Sequence, residues 1–339
     1  MRDPRNLRMW FAFLALAAAL LVFREGVTAR IQAFFRDPEV VSFLLYLETG
    51  RAIHVSGQWE EMLPTATESA APPQTEPATE PTQGPVTLSD ADAVDIRNSS
   101  GKKIDAQALL LQPLRWDLAD GEPRVLVFHT HATESYTPTK ENPYEESSYY
   151  RTLETEDNMV RIGERLTELL RAEGIGVLHD TTFHDYPSYT GSYGNARKTL
   201  KKYLEQEPGL CLLLDVHRDA VESSSGKQLA TSVTVEGKSV AQIMLVVGTD
   251  AGGLQHPNWE QNLSLALKLQ HQLEAVCPGI CRYISLRRER FNQDLLPGTV
   301  LVEIGAAGNT LDEALAAVEI LAQAIADLSK GTVTADSTN

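Results

Sequence analysis

Residues 125–136 read VLVFHTHATESY. Four apolar residues follow the turn-forming run DGEP at 120–123 and predict a short buried strand. Its carboxyl end delivers His129, Thr130, His131 and Glu134. Ligand sites gather at that end of strands in open α/β sheets. Two imidazoles and a carboxylate close together are side chains that bind zinc. In extended chain His129 and His131 point to the same side, and Glu134 folds back from the loop that follows. A single histidine at a strand end is more often a hydrogen-bonded polar residue than a ligand. The cluster, not any one member, raises a site reading.

Working outward, two more apolar runs end on chemistry. LCLLLDV at 210–216 runs into His217, Arg218 and Asp219. VLVEI at 300–304 carries Glu303 among apolar neighbours. A buried carboxylate is costly unless it is paired, ligating or protonated, so Glu303 is a general acid/base candidate. Neighbouring parallel strands that end on histidines can bring them to one ion, with Asp215, Asp219 or Thr130 orienting an imidazole from behind. Between these runs the periodicity predicts helices over 159–172, 192–206 and 259–276, and a last one capped by Thr310. A strand over 175–178 completes a β-α-β unit, and 231–235 with 242–247 are expected to form a hairpin around Glu236-Gly237-Lys238. The fold expected is α/β: a single globular domain over 91–330 with a mostly parallel central sheet flanked by helices.

The loops hold weaker candidates. Thr137 to Thr155 and GTDAGG at 248–253 are expected to border the site, though GTDAGG lacks the lysine of a phosphate loop. His256, before Pro257, is a substrate-binding candidate. Arg290 and Asn292, with Arg287 and Arg288, form a basic patch that could meet a ligand carboxylate; a solvated face explains the patch equally well. His179 and His184 read as loop residues.

The chain has 339 residues and a formal net charge of -16. That balance argues against nucleic acid, which needs a basic face. Of the three cysteines, Cys211 reads as core, and Cys277 and Cys281 give no zinc motif. Residues 1–26 place Arg2, Arg5 and Arg8 before the apolar run MWFAFLALAAALLVF and lack a closing cleavage site. They predict an uncleaved, single-pass anchor in the cell membrane, with a short basic cytoplasmic end and the rest extracytoplasmic. Residues 27–63 include a second apolar patch and receive no function. Residues 64–90 are rich in Pro, Thr and Glu and predict a disordered linker, with a disordered tail expected at 331–339.

Taken together, HTHATESY, DNMVRIGERL, GVLHDTTFHDYPSYTGSY, LLLDVHRDA, AQIMLVVGTDAGGLQHPNW, RFNQDLLPG and VEIGAAGNTLDEAL resemble the stage II sporulation protein P family, in family order across about residues 120–328. The resemblance implies a zinc-dependent N-acetylmuramoyl-L-alanine amidase acting on peptidoglycan, with a second, endopeptidase activity. It also implies work in engulfment beside a membrane-bound glycan-cleaving partner and a membrane scaffold protein. By the same resemblance His131, Glu134 and His217 hold Zn2+ and Glu303 is the base. His129 and Glu156 are alternative ligands, and Arg218 or Arg290 would meet a substrate carboxylate. A wall-peptide endopeptidase and a non-catalytic peptidoglycan-binding scaffold are the competing readings.

Overall fold

The computed structural model describes residues 94–114, 118 and 121–330. The expected anchor, the 27–63 segment, the linker and the tail lie outside them. No helix among the described residues is long and apolar enough to cross a membrane.

Among the described residues nine strands and five α-helices follow in chain order. They are β1 (Ile96–Asn98), α1 (Ala106–Leu110), β2 (Pro123–Phe128), α2 (Met159–Ala172), β3 (Gly176–His179), α3 (Ser192–Gln206) and β4 (Leu212–Asp219). Then come β5 (Ser232–Val235), β6 (Lys238–Ala241), β7 (Ile243–Val247), α4 (Trp259–Val276), β8 (Ile284–Leu286), β9 (Thr299–Ala306) and α5 (Leu311–Ser329). Seven strands form one sheet in the order β1-β8-β7-β9-β4-β2-β3. Every pairing is parallel except β7 with β9, so the sheet is two parallel blocks running in opposite directions. β5 and β6 form a separate antiparallel ribbon.

The hairpin differs from expectation. Its second strand is β6, and β7 belongs to the main sheet. Gln242 splits the run: its N–H donates to Thr231 O at 2.8 Å and its side-chain amide to Gly279 O at 3.1 Å. Glu236 and Gly237 both have positive φ, the backbone of a two-residue hairpin turn.

Alternation along the strands makes two cores. Val125, Val127, Leu212, Leu214, Val216, Val300, Val302 and Ile304 join a cluster with apolar residues of α2, α4 and α5. Leu126, Phe128 and Leu213 pack with Leu200 of α3 on the opposite face. By the same alternation Asp215 and His217 on β4, and Glu303 on β9, share the α3 face. β2 and β4 are neighbours, yet the chain leaves β2 through α2 to β3 on one side and returns over the other face through α3. A crevice at such a reversal is where α/β folds bind ligands.

Candidate active site

The crevice is built from three strand ends. β2 stops at Phe128 and the chain turns through Thr130–Thr133 instead of continuing extended. His129 therefore does not face the same side as His131, contrary to the extended-chain expectation. The His129 Nδ1–H donates to Val216 O at 2.8 Å, which leaves Nε2 to accept from His179 Nε2–H at 3.0 Å. Burial, then the neighbouring His179, pushes His129 down to about 3, and burial takes His179 to about 4. This neutral pair sits over Gly163 of α2, where a Cβ would overlap both Nε2 atoms. With both ring nitrogens engaged, His129 is a brace between β2 and β4.

His131 is turned to the α3 face. Its ring stacks on Tyr189 at 4.4 Å between centroids and meets His217 edge-on at 5.3 Å. His217 and Glu303 are register partners on β4 and β9, placing them side by side. The His217 Nε2–H donates to Asp215 Oδ1 at 2.8 Å. Asp215 is fixed in turn by Thr130, whose N–H and hydroxyl donate to it at 2.8 and 2.7 Å. Of the three orienting candidates, Asp215 contacts the imidazole and Thr130 holds Asp215, while Asp219 is taken by Arg282 at 2.6 Å.

His217 Nδ1 faces Glu134 Oε2 at 3.4 Å. Burial opposes charge on all these groups, yet Glu134, Asp215 and His217 attract one another strongly. Arg218, and then His217, outweigh burial and hold the Glu134 carboxyl well below the usual range. Asp215 and Glu134 outweigh burial and raise His217 well above its ordinary value. Burial takes His131 down to about 3 and Glu303 up to about 8. The buried His131 Nδ1 and Glu303 Oε2 have no hydrogen-bond partner among the described residues.

No group of three or more His, Cys, Asp or Glu side chains among the described residues is gathered to hold an ion as it stands. The donors nonetheless fit zinc. With Asp215 taking the Nε2 proton of His217, its Nδ1 lone pair and Glu134 Oε2 confront each other, an arrangement that needs a cation between them. In the metal-free chain that cation is a proton. His131 Nδ1, without a hydrogen bond and 3.9 Å from Asp185 Oδ2, adds a third buried donor. Glu156, the alternative carboxylate, is exposed two residues before the α2 cap Asn158.

The substrate-binding candidates fall elsewhere or are already occupied. Arg218 is buried at the site, but its guanidinium donates to Ser135 O and Tyr150 O at 3.0 and 2.8 Å. Arg290 pairs with Asp294 at 3.1 Å. Asn292 donates to Tyr193 O at 2.8 Å and accepts from Arg197 at 3.2 Å. His256 is buried, neither ring nitrogen is hydrogen-bonded to a described residue, and burial lowers it to about 4.

Three residues on the crevice were not singled out from sequence. Arg151 binds Asp185 at 2.8 Å and Glu134 at 3.3 Å, and lies over the Tyr189 ring. Tyr189 and Tyr193 border His131. Their signal was the aromatic-rich PSYTGSY run at 187–193, directly before a helix. Phe291 and Asn292, behind Tyr193, have φ of 52° and 58°. Asparagine tolerates this region, but phenylalanine there is strained by about 1–3 kcal/mol, a cost that clusters at functional sites.

The family described as Stage II sporulation protein P (SpoIIP) matches this chain over residues 44–326. The stage II sporulation protein P of Bacillus subtilis (strain 168) is 28% identical over 217 residues, covering 60% of this chain and 50% of that protein. This chain thus spans half the length of that curated relative. Among solved structures, the N-acetylmuramoyl-L-alanine amidase AmiC2 of Nostoc punctiforme is similar with 14% identity and a TM-score of 0.34, covering 61% of this chain and 96% of that one. The N-acetylmuramyl-L-alanine amidase Ami1 of Mycobacterium smegmatis gives 12%, 0.39, 64% and 100%. At these TM-scores the likeness decides nothing about the site.

Proposed function

Because this chain belongs to the stage II sporulation protein P family, we propose that the crevice over β2, β4 and β9 is a zinc-dependent peptidoglycan hydrolase site that works in sporulation. The bond cut is the amide between N-acetylmuramic acid and L-alanine of the stem peptide. One observation supports this most: a buried, unpartnered Glu303 Oε2 on the strand beside His217, with His131 and Glu134 on the same face.

His131, Glu134 and His217 would hold the ion. When bound, zinc supplies a polarised amide carbonyl and an acidified water. Asp215 keeps the His217 proton on Nε2, so that Nδ1 presents its lone pair. Arg151 and Arg218 fix the Glu134 carboxylate, which prevents it from competing as a base. Glu303 accepts the proton of the attacking water and hands it to the amide nitrogen as the C–N bond breaks. The products are a lactyl carboxylate and a stem peptide with a free alanine amine.

The test is to incubate the purified chain with peptidoglycan, with and without a chelator, and to identify the new ends by mass spectrometry. Stem peptides beginning with alanine, absent after chelation, are the expected result. Cuts inside the peptide alone would replace the amidase with an endopeptidase. No products from a zinc-free protein that still binds the wall would leave a scaffold. The proposal keeps residues 1–26 as an uncleaved anchor, with a glycan-cleaving partner and a scaffold in the same membrane. Extraction of the full chain from membranes by alkaline carbonate would overturn the anchor.

A further inference from the structure

Resting on the hydrolase reading above, we propose that Tyr193 is a catalytic residue: its hydroxyl donates a hydrogen bond to the oxygen of the scissile carbonyl as negative charge develops there. A donor there would add to the polarisation that zinc would supply. Attack on an amide carbonyl moves charge onto that oxygen, and a pre-aimed N–H or O–H opposite it is a large contributor to rate.

The cationic donors bordering the crevice are committed. Arg218 is spent on the carbonyls of Ser135 and Tyr150, Arg151 on Asp185, Glu134 and Thr133, and Arg197 on Asp294 and Asn292. Tyr193 is different. Its ring meets the His131 ring at right angles, 5.6 Å between centroids. Burial, and then Asp215, Tyr189, Glu303 and Glu134, raise its hydroxyl well above the ordinary tyrosine value. It makes no hydrogen bond to any described residue.

The surroundings hold the ring in place. Tyr193 is in the first turn of α3, whose cap Gly191 supplies no side-chain bond. Asn292 donates to its carbonyl oxygen, and the Phe291 ring lies behind it at 5.8 Å. Both of those residues are at positive φ. A strained segment that holds the ring and the carbonyl of a tyrosine with an unbonded hydroxyl is expected of a positioned donor, not of a packing residue. Packing alone would be satisfied equally well by phenylalanine.

That comparison is the experiment. Tyr193→Phe in the full chain keeps the ring and removes only the hydroxyl. With zinc content and thermal unfolding unchanged, kcat on peptidoglycan should fall about 10²- to 10³-fold while KM stays the same. Affinity for a phosphinate analogue of the N-acetylmuramoyl-L-alanine amide should fall by a similar factor, and affinity for uncleaved glycopeptide should not. A kcat within twofold of the unaltered chain, or a loss matched by lost zinc, would overturn the role of Tyr193 and leave the hydrolase standing. An unaltered chain that neither cuts nor binds the phosphinate would remove the hydrolase reading and this one with it.

Discussion

Glu303 carries the sharpest consequence at the scale of one residue. Burial holds its carboxyl up to about 8 in the folded, metal-free chain, against 4.5 for the ordinary group. The folded state therefore keeps this proton where the unfolded state has lost it. Its stabilising contribution is complete below about pH 4.5 and is lost as pH rises through about 8. At pH 7 the cost is roughly 3 kcal/mol. Glu303→Gln should raise the denaturant midpoint of the metal-free protein at pH 7, and the gain should vanish near pH 4. The same substitution should abolish turnover, by about 10²-fold or more, while zinc stoichiometry is kept. Turnover at the original rate would remove Glu303 from the mechanism. The sequence made this residue visible because an acid inside VLVEI has no bland explanation. Arg218, expected to meet a substrate carboxylate, donates to two backbone carbonyls in the fold. Tyr193 was hidden because nothing local distinguishes it from other tyrosines in a polar loop.

Among the elements, helices α2 to α4 match the sequence expectation in both limits, and side-chain caps mark the starts of α2 and α5. Asn158 accepts from Val160 N–H, and Thr310 with Glu313 forms a reciprocal capping box at α5. Thr310→Ala should cost about 1 kcal/mol in chemical denaturation, without touching activity. Gly163 is a contrasting case. In an ordinary helix interior Gly→Ala gains up to about 1 kcal/mol. Here the new methyl would meet the His129–His179 pair, so Gly163→Ala should destabilise by about 1–3 kcal/mol. Equal or higher stability would show that the histidine brace yields freely. The requirement for glycine comes from a tertiary contact, which helical periodicity does not encode. Strand limits were less legible for the same kind of reason. The run from Lys238 to Val247 looks continuous, and only the Thr231 and Gly279 partners of Gln242 divide it into β6 and β7.

Across the whole molecule, strand order and direction were the least legible features. An apolar run does not state which way its strand points, so the reversal between β7 and β9 could not be read. The convergence of strand ends could be, because two runs end on ligand-type residues and a third carries a buried acid. That convergence makes zinc a probe of the fold. His131 and Glu134 follow β2 and His217 lies on β4, with α2, β3 and α3 between them in sequence. The unfolded chain holds these donors apart, so the ion should bind the folded state and stabilise it by mass action. Free zinc at a hundred times its dissociation constant should add about 2.7 kcal/mol, raising the thermal midpoint by several degrees. Binding must also displace the proton between His217 and Glu134, so the shift should shrink as pH falls. Scanning calorimetry of the metal-free chain against added zinc measures both effects. His217→Ala should remove the shift, and a shift that survives it would place the ion elsewhere.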